Sequence, residues 1–141
     1  MTLGGLELSM LEAREWMVFV SHAQLEAQNQ CALLVRLLAE VGVDAWYDMD
    51  AERLEVCDMC RGIARSEFFL LYLTKSYFSR WFCRLEASVA MALGKQLIVV
   101  YESDPRHHGS ADYVQLARHA TRKYPKYLLS IICIRYIHRY L

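Results

Sequence analysis

One carboxylate in this chain has the surroundings of a reactive group. Glu86 is the single acid in the stretch from Lys75 to Gly94, KSYFSRWFCRLEASVAMALG. The spacing predicts one amphipathic helix there, with Phe78, Phe82, Leu85, Val89 and Leu93 recurring at three- and four-residue steps as a core-facing stripe. Glu86 then lies beside the stripe. Its helical neighbours are Phe82, Cys83, Val89 and Ala90, none of them basic. Burial among apolar groups disfavours the charged form of a carboxylate unless another element supplies donors. That makes Glu86 a candidate for acid–base or electrostatic chemistry. The plainer reading is a glutamate at a helix edge with a remote partner.

Other groups have chemistry to offer and plainer readings beside it. His22 follows the first predicted strand and suits a base or a ligand-holding donor; the plainer reading is a loop histidine satisfied by backbone. Trp46 lies near the end of an alternating strand. Facing the rim it offers a stacking surface for a flat ring; facing inward it is core. Cys57 and Cys60 form one CxxC with no second ligand pair nearby, so two buried thiols are a plainer reading than a metal or redox centre. The basic stretch of Arg118, Arg122, Lys123 and Lys126, with His119, Tyr124 and Tyr127, suits phosphates or a solvated helix end.

Alternating strand and helix patterns must position these groups. Residues 1–15 read as an N-terminal extension or short helix, and residues 16–141 as one domain. Predicted strands are Trp16–Val20, Val43–Tyr47, Glu67–Leu73, Gln96–Tyr101 and Leu128–Ile134. Predicted helices cover 24–41, 56–65, the Glu86 stretch and roughly Tyr113–Lys123. Continuous apolar runs such as WMVFV and EFFLLYL suit strands buried on both faces of a parallel sheet. The expected architecture is α/β: a flavodoxin-like three-layer sandwich with a five-stranded parallel sheet. Ligands of such sheets sit beyond the carboxyl ends of the strands, where strand order switches. With the first strand at that switch, Ser21, His22, Asp48 and the start of the Glu86 helix share one rim.

Motifs and composition narrow the chemistry. No GxxxxGK[ST] or GxGxxG follows a strand, no GxSxG is present, and the third strand ends in Thr74-Lys75 where a phospho-receiver needs an aspartate. At 141 residues and 55% apolar content the chain can bury a core, while its apolar runs are too short to span a bilayer. The first residues lack the basic and apolar regions of a signal peptide. Five irregularly spaced cysteines suggest reduced thiols, so a cytoplasmic location is expected. Net charge is zero but unevenly spread. Residues 1–60 hold eleven acids and three bases, and residues 61–141 hold five acids and thirteen bases. Head-to-tail self-association is one reading and a nucleic-acid surface another; interleaving of the halves in space would cancel both.

Several segments together resemble a TIR domain, the Toll/interleukin-1 receptor and resistance-protein module, over about Trp16 to Ile134. VFVSH is similar to the family's opening box and GVDAWYD to its second strand. SRWFCRLE is similar to its S-x-W-C-x-x-E pattern, with one extra residue between Trp81 and Cys83, and ESDPRHHG is similar to a loop of some TIR-like proteins. The resemblance implies one of two functions. The first is an NAD+ glycohydrolase, activated by self-association, releasing nicotinamide and ADP-ribose or its cyclic form in immune or cell-death signalling. The alternative is a non-enzymatic scaffold joining TIR domains. In the enzymatic case Glu86 is the catalytic glutamate, Trp46 takes the place of an aromatic that stacks on nicotinamide, and Ser21, His22, Asp48, Trp81 and Cys83 complete the substrate side. NAD+ is the substrate, and no cofactor, metal, membrane or nucleic acid is implied. The chain departs from the family in MDAERLEVCDM, which has neither the glycine nor the proline common in the loop after the second strand. A shortened or helical loop is expected there.

Overall fold

The computed structural model describes residues 14–47, 56–102, 104–106 and 110, and the backbone of 132–136. Its elements are β1 (Trp16–His22), α1 (Gln24–Glu40), β2 (Ala45–Trp46), α2 (Val56–Ala64), β3 (Ser66–Leu73), a 3₁₀ turn (Tyr77–Ser79), α3 (Trp81–Ala92), β4 (Gln96–Glu102) and β5 (Ile132–Tyr136). The chain is an α/β fold on a parallel sheet, with strand order β2-β1-β3-β4-β5. No helix among the described residues is long and apolar enough to cross a membrane.

The pleat sorts each central strand between two cores. Val18 and Val20 of β1, Leu70 and Tyr72 of β3 and Val100 of β4 face α1, where Ala27 and Cys31 meet them. Phe19, Phe69, Leu71, Leu73, Leu97 and Val99 face the other way, against Met59 and Ile63 of α2 and Cys83, Ala87 and Ala90 of α3. Fully burying side chains of this size stabilises by about 1.5–3 kcal/mol each, so these strand residues carry most of the cohesion around the site.

The predicted single helix over Lys75–Gly94 is two pieces. Tyr77–Ser79 makes a 3₁₀ turn, Arg80 is extended (φ −85°, ψ 120°), and the α-helix begins at Trp81. The polar groups of this corner explain the break. Ser79 Oγ donates to the Ser76 carbonyl at 2.7 Å, and the Ser76 backbone N–H and hydroxyl both donate to Glu26 of α1. Serine side chains that bond nearby backbone compete with helical hydrogen bonding. Helix α3 then ends at Gly94, whose φ of +69° is a left-handed stop.

The buried face of α3 also differs from the expected stripe. Cys83, Glu86, Ala87 and Ala90 are buried, while Phe82, Leu85 and Val89 are half-buried flanks and Leu93 is exposed. Small side chains let the helix approach the sheet closely, and Glu86 sits within that face rather than beside it.

Elsewhere, β2 is shorter than predicted, and β5 (Ile132–Tyr136) runs two residues past the predicted end at Ile134, while residues 128–131 lie outside the described residues. The end of the departing loop is helical, since Val56–Met59 opens α2. Residues 48–55, the predicted helix over 113–123, and His107, His108 and the basic stretch lie outside the described residues.

Candidate functional site

Helices α1 and α3 cover opposite faces of the sheet, and they follow the adjacent parallel strands β1 and β3. The carboxyl ends of β1 and β3 are therefore the switch point. Ser21 and His22 end β1 there, in register with Leu71 and Tyr72 of β3.

Pleating sends the Ser21 side chain toward α3, on the same face as Phe19. Its hydroxyl donates to Oε2 of Glu86, and it lies 2.6 Å from the Tyr77 hydroxyl. Ser21 and Tyr77 are buried, and Glu86 is only 7% exposed. The donor that the sequence left open for Glu86 thus comes from β1. Tyr77 Oη also lies 3.4 Å from the Cys83 carbonyl, and Cys83 Sγ donates to the His22 carbonyl at 3.5 Å. Burial, then the neighbouring Cys83 and Glu86, push the Tyr77 phenol well above its usual range. Burial, with Glu86 beside it, pushes the Cys83 thiol up to about 12. Both groups stay protonated at neutral pH. Cys83 is therefore a packed thiol here, not a thiolate nucleophile.

Above this network a cleft of about 440 Å³ opens between the first turns of α1 and α3. His22, Gln24 and Gln28 line one side, and Arg80, Trp81 and Cys83 the other. Its lip is apolar and exposed, with Leu25 at 77% and Trp81 at 63%. The His22 ring tilts against Tyr47 at 5.0 Å. Among the described residues Glu86 does not line the cleft; it lies one helical turn beyond Cys83.

Of the residues expected at the site, Ser21, His22, Trp81, Cys83 and Glu86 come together at this rim. Trp46 lies lower, half-buried and stacked on Phe19, two residues short of Ser21 on the same face. Asp48 lies outside the described residues. Cys57 is exposed and Cys60 half-buried, so the CxxC is not the buried pair expected.

Three participants were not foreseen. Tyr77 was read as a helix residue, although its flanking serines are a turn signal. Glu26 is a buried acceptor for Ser76, and Glu102 a buried acceptor for Tyr72 Oη at 3.0 Å and the Asp104 backbone N–H at 2.9 Å.

A family model described as TIR domain matches residues 18–128. No curated protein matches the chain. Solved structures with the same fold include the TIR domains of the activated Roq1 resistosome, a complex that directly recognises the pathogen effector XopQ. That likeness has 18% identity and a TM-score of 0.55, over 79% of this chain and 74% of that one. The TIR domain of the Toll-related receptor TRR-2 from Hydra magnipapillata is similar at 13% identity and TM-score 0.52, over 77% and 93% of the two chains. A metazoan TIR-STING receptor from C. gigas, solved with 2′,3′-cGAMP, is similar at 10% identity and TM-score 0.56; the match covers 88% of this chain and 36% of that one. With the family match spanning most of the described sheet and both arms of the switch point, the chain belongs to the TIR domain family.

Proposed function

We propose that this TIR domain is an NAD+ glycohydrolase with Glu86 as its catalytic carboxylate. What supports the reading most is the position of Glu86: a buried carboxylate at the sheet's switch point, held by a hydroxyl of β1. NAD+ carries its own cationic leaving group, so nicotinamide departs without a general acid. The demand is on the oxocarbenium-like ribose left behind. A carboxylate at the rim counters that charge and accepts from the ribose hydroxyls, while Trp46, Trp81, His22, Ser21, Cys83 and Asp48 complete the substrate side. Products are nicotinamide and ADP-ribose or its cyclic form, and no cofactor takes part. The setting we infer is a five-stranded flavodoxin-like sandwich, cytoplasmic and free of membrane and nucleic acid, activated when copies associate. The resistosome among its structural likenesses supports association between TIR domains.

Nicotinamide release from NAD+ by concentrated protein tests this. Glu86→Ala should lose about 10²–10³ in rate, the usual cost of deleting an electrostatic stabiliser. Equal release by both proteins would remove Glu86 from the reaction.

A second reading is a scaffold that only joins TIR domains. It is favoured by the 7% exposure of Glu86 and by the apolar lip of Leu25 and Trp81. It gives concentration-dependent oligomers with no turnover at any concentration.

A further inference from the structure

Ser21 has one proton and two neighbours that want to share it. Its hydroxyl donates to Oε2 of Glu86, so its contact with Tyr77 Oη at 2.6 Å must run the other way, with Tyr77 as donor. The second partner in reach of the phenol, the Cys83 carbonyl at 3.4 Å, is too distant to compete for that proton. The result is a directed row, Tyr77 to Ser21 to Glu86, in which each O–H points toward the carboxylate. Such rows strengthen link by link in a low-dielectric interior. Nothing in the row is loosely held. Ser21 is fixed by β1 in register with Leu71, and Tyr77 lies in the core, next in sequence to Ser76, which Glu26 of α1 holds.

We infer that Tyr77 and Ser21 are positioning residues for the carboxylate: the Tyr77 phenol, acting through the Ser21 hydroxyl, fixes the orientation of Glu86 and holds it as an anion ready for a developing cation. This rests on the reading of Glu86 as the reacting group. Tyr77 itself touches no substrate, because the Ser21 hydroxyl stands between it and Glu86.

Two measurements test the inference. The first is turnover of NAD+ by Tyr77→Phe, Ser21→Ala and the double variant. Tyr77→Phe keeps the ring in the core and removes only the hydroxyl. The expected loss in kcat is about tenfold for Tyr77→Phe, as for a neutral hydrogen bond, with KM unchanged, and about a hundredfold for Ser21→Ala, as for a hydrogen bond to a charged group. Because Tyr77 acts through Ser21, the double variant should be no slower than Ser21→Ala alone. The second measurement needs no turnover. The carboxylate stretches of Glu86, isolated as the infrared difference between wild type and Glu86→Gln, should shift in Ser21→Ala, less in Tyr77→Phe, and no further in the double variant. Identical bands in all backgrounds overturn the inference whatever the turnover. Shifted bands with unchanged kcat, or losses that multiply in the double variant, overturn the positioning role. Shifted bands in a protein that never cleaves NAD+ uphold the directed row and sink the enzymatic reading instead.

Discussion

Trp46 lies flat on Phe19, with ring centroids 4.4 Å apart and planes within 8° of parallel. The stack joins β2 to β1 just below the candidate site, and Gly62 of α2 closes over it. A Cβ at Gly62 would stand 3.0 Å from Trp46 Cε2, 3.1 Å from its Nε1 and 3.2 Å from Phe19 Cε2. Two effects oppose each other in Gly62→Ala. Alanine gains up to about 1 kcal/mol of helix propensity, while overpacking a rigid core costs about 1–3 kcal/mol. Stacked rings cannot swing aside as a flexible chain end can, so the packing cost wins. The expected net loss is about 1 kcal/mol, read as a lower midpoint in urea with the slope unchanged.

Alkaline pH should unfold the protein from a definite side. Burial raises the Cys83 thiol from 9.0 to about 12, and burial raises Cys31 and Tyr77 as well. Below pH 9 both folded and unfolded thiols are protonated, and the stability is fully present. Between about 9 and 12 the unfolded chain sheds a proton that folded Cys83 retains, so the unfolded state gains. Stability then falls with rising pH, by at most about 1.4 kcal/mol per pH unit for each such group. Thermal melts from pH 8 to 11 check this, and Cys83→Ala should flatten the decline.

The same burial orders the thiols by reactivity. Cys57 is exposed, Cys60 half-buried, and Cys31 and Cys83 buried. A disulfide reagent at pH 8 should label Cys57 within the native state, while Cys31 and Cys83 should react only at the rate of opening. Mass spectrometry after a short pulse reads the order. Early labelling of Cys83 would contradict its packing against the His22 carbonyl.

At the opposite end of the sheet, Lys95 Nζ donates to the Ala64 carbonyl at 2.9 Å and the Ser66 carbonyl at 2.7 Å. It closes the end of α2 onto the start of β3. Lys95→Met keeps the stem and removes the donors. A loss of about 1 kcal/mol is expected, since the freed carbonyls regain some water. Lys95→Arg should not restore it, because a planar fork does not reproduce a compact ammonium.

Much of this architecture was legible because apolar runs and helical spacing are local signals. EFFLLYL and QLIVVY have the length and continuity of buried strands, and VFVSH placed Ser21 and His22 at a strand exit. Glu86 stood out by the neighbours it lacked. Its donor was not legible, because Ser21 lies 65 residues away and only the pleat of β1 shows which way it points. Tyr77 was hidden for another reason. The apolar spacing of Phe78 and Phe82 favoured a continuous helix, and the competing bonds of Ser76 and Ser79 depend on Glu26 from a different element. Trp46 shows the same limit: alternation placed it near the strand end, but its stack on Phe19 is a cross-strand fact.

The Tyr77 hydroxyl, the Ser21 hydroxyl and the Glu86 carboxylate are supplied by three separate elements, the 3₁₀ turn, β1 and α3. Ser21 is anchored in the sheet, so any slide of α3 across it would part the Ser21–Glu86 link first. The seating of that helix and the aim of its acid are therefore one and the same adjustment.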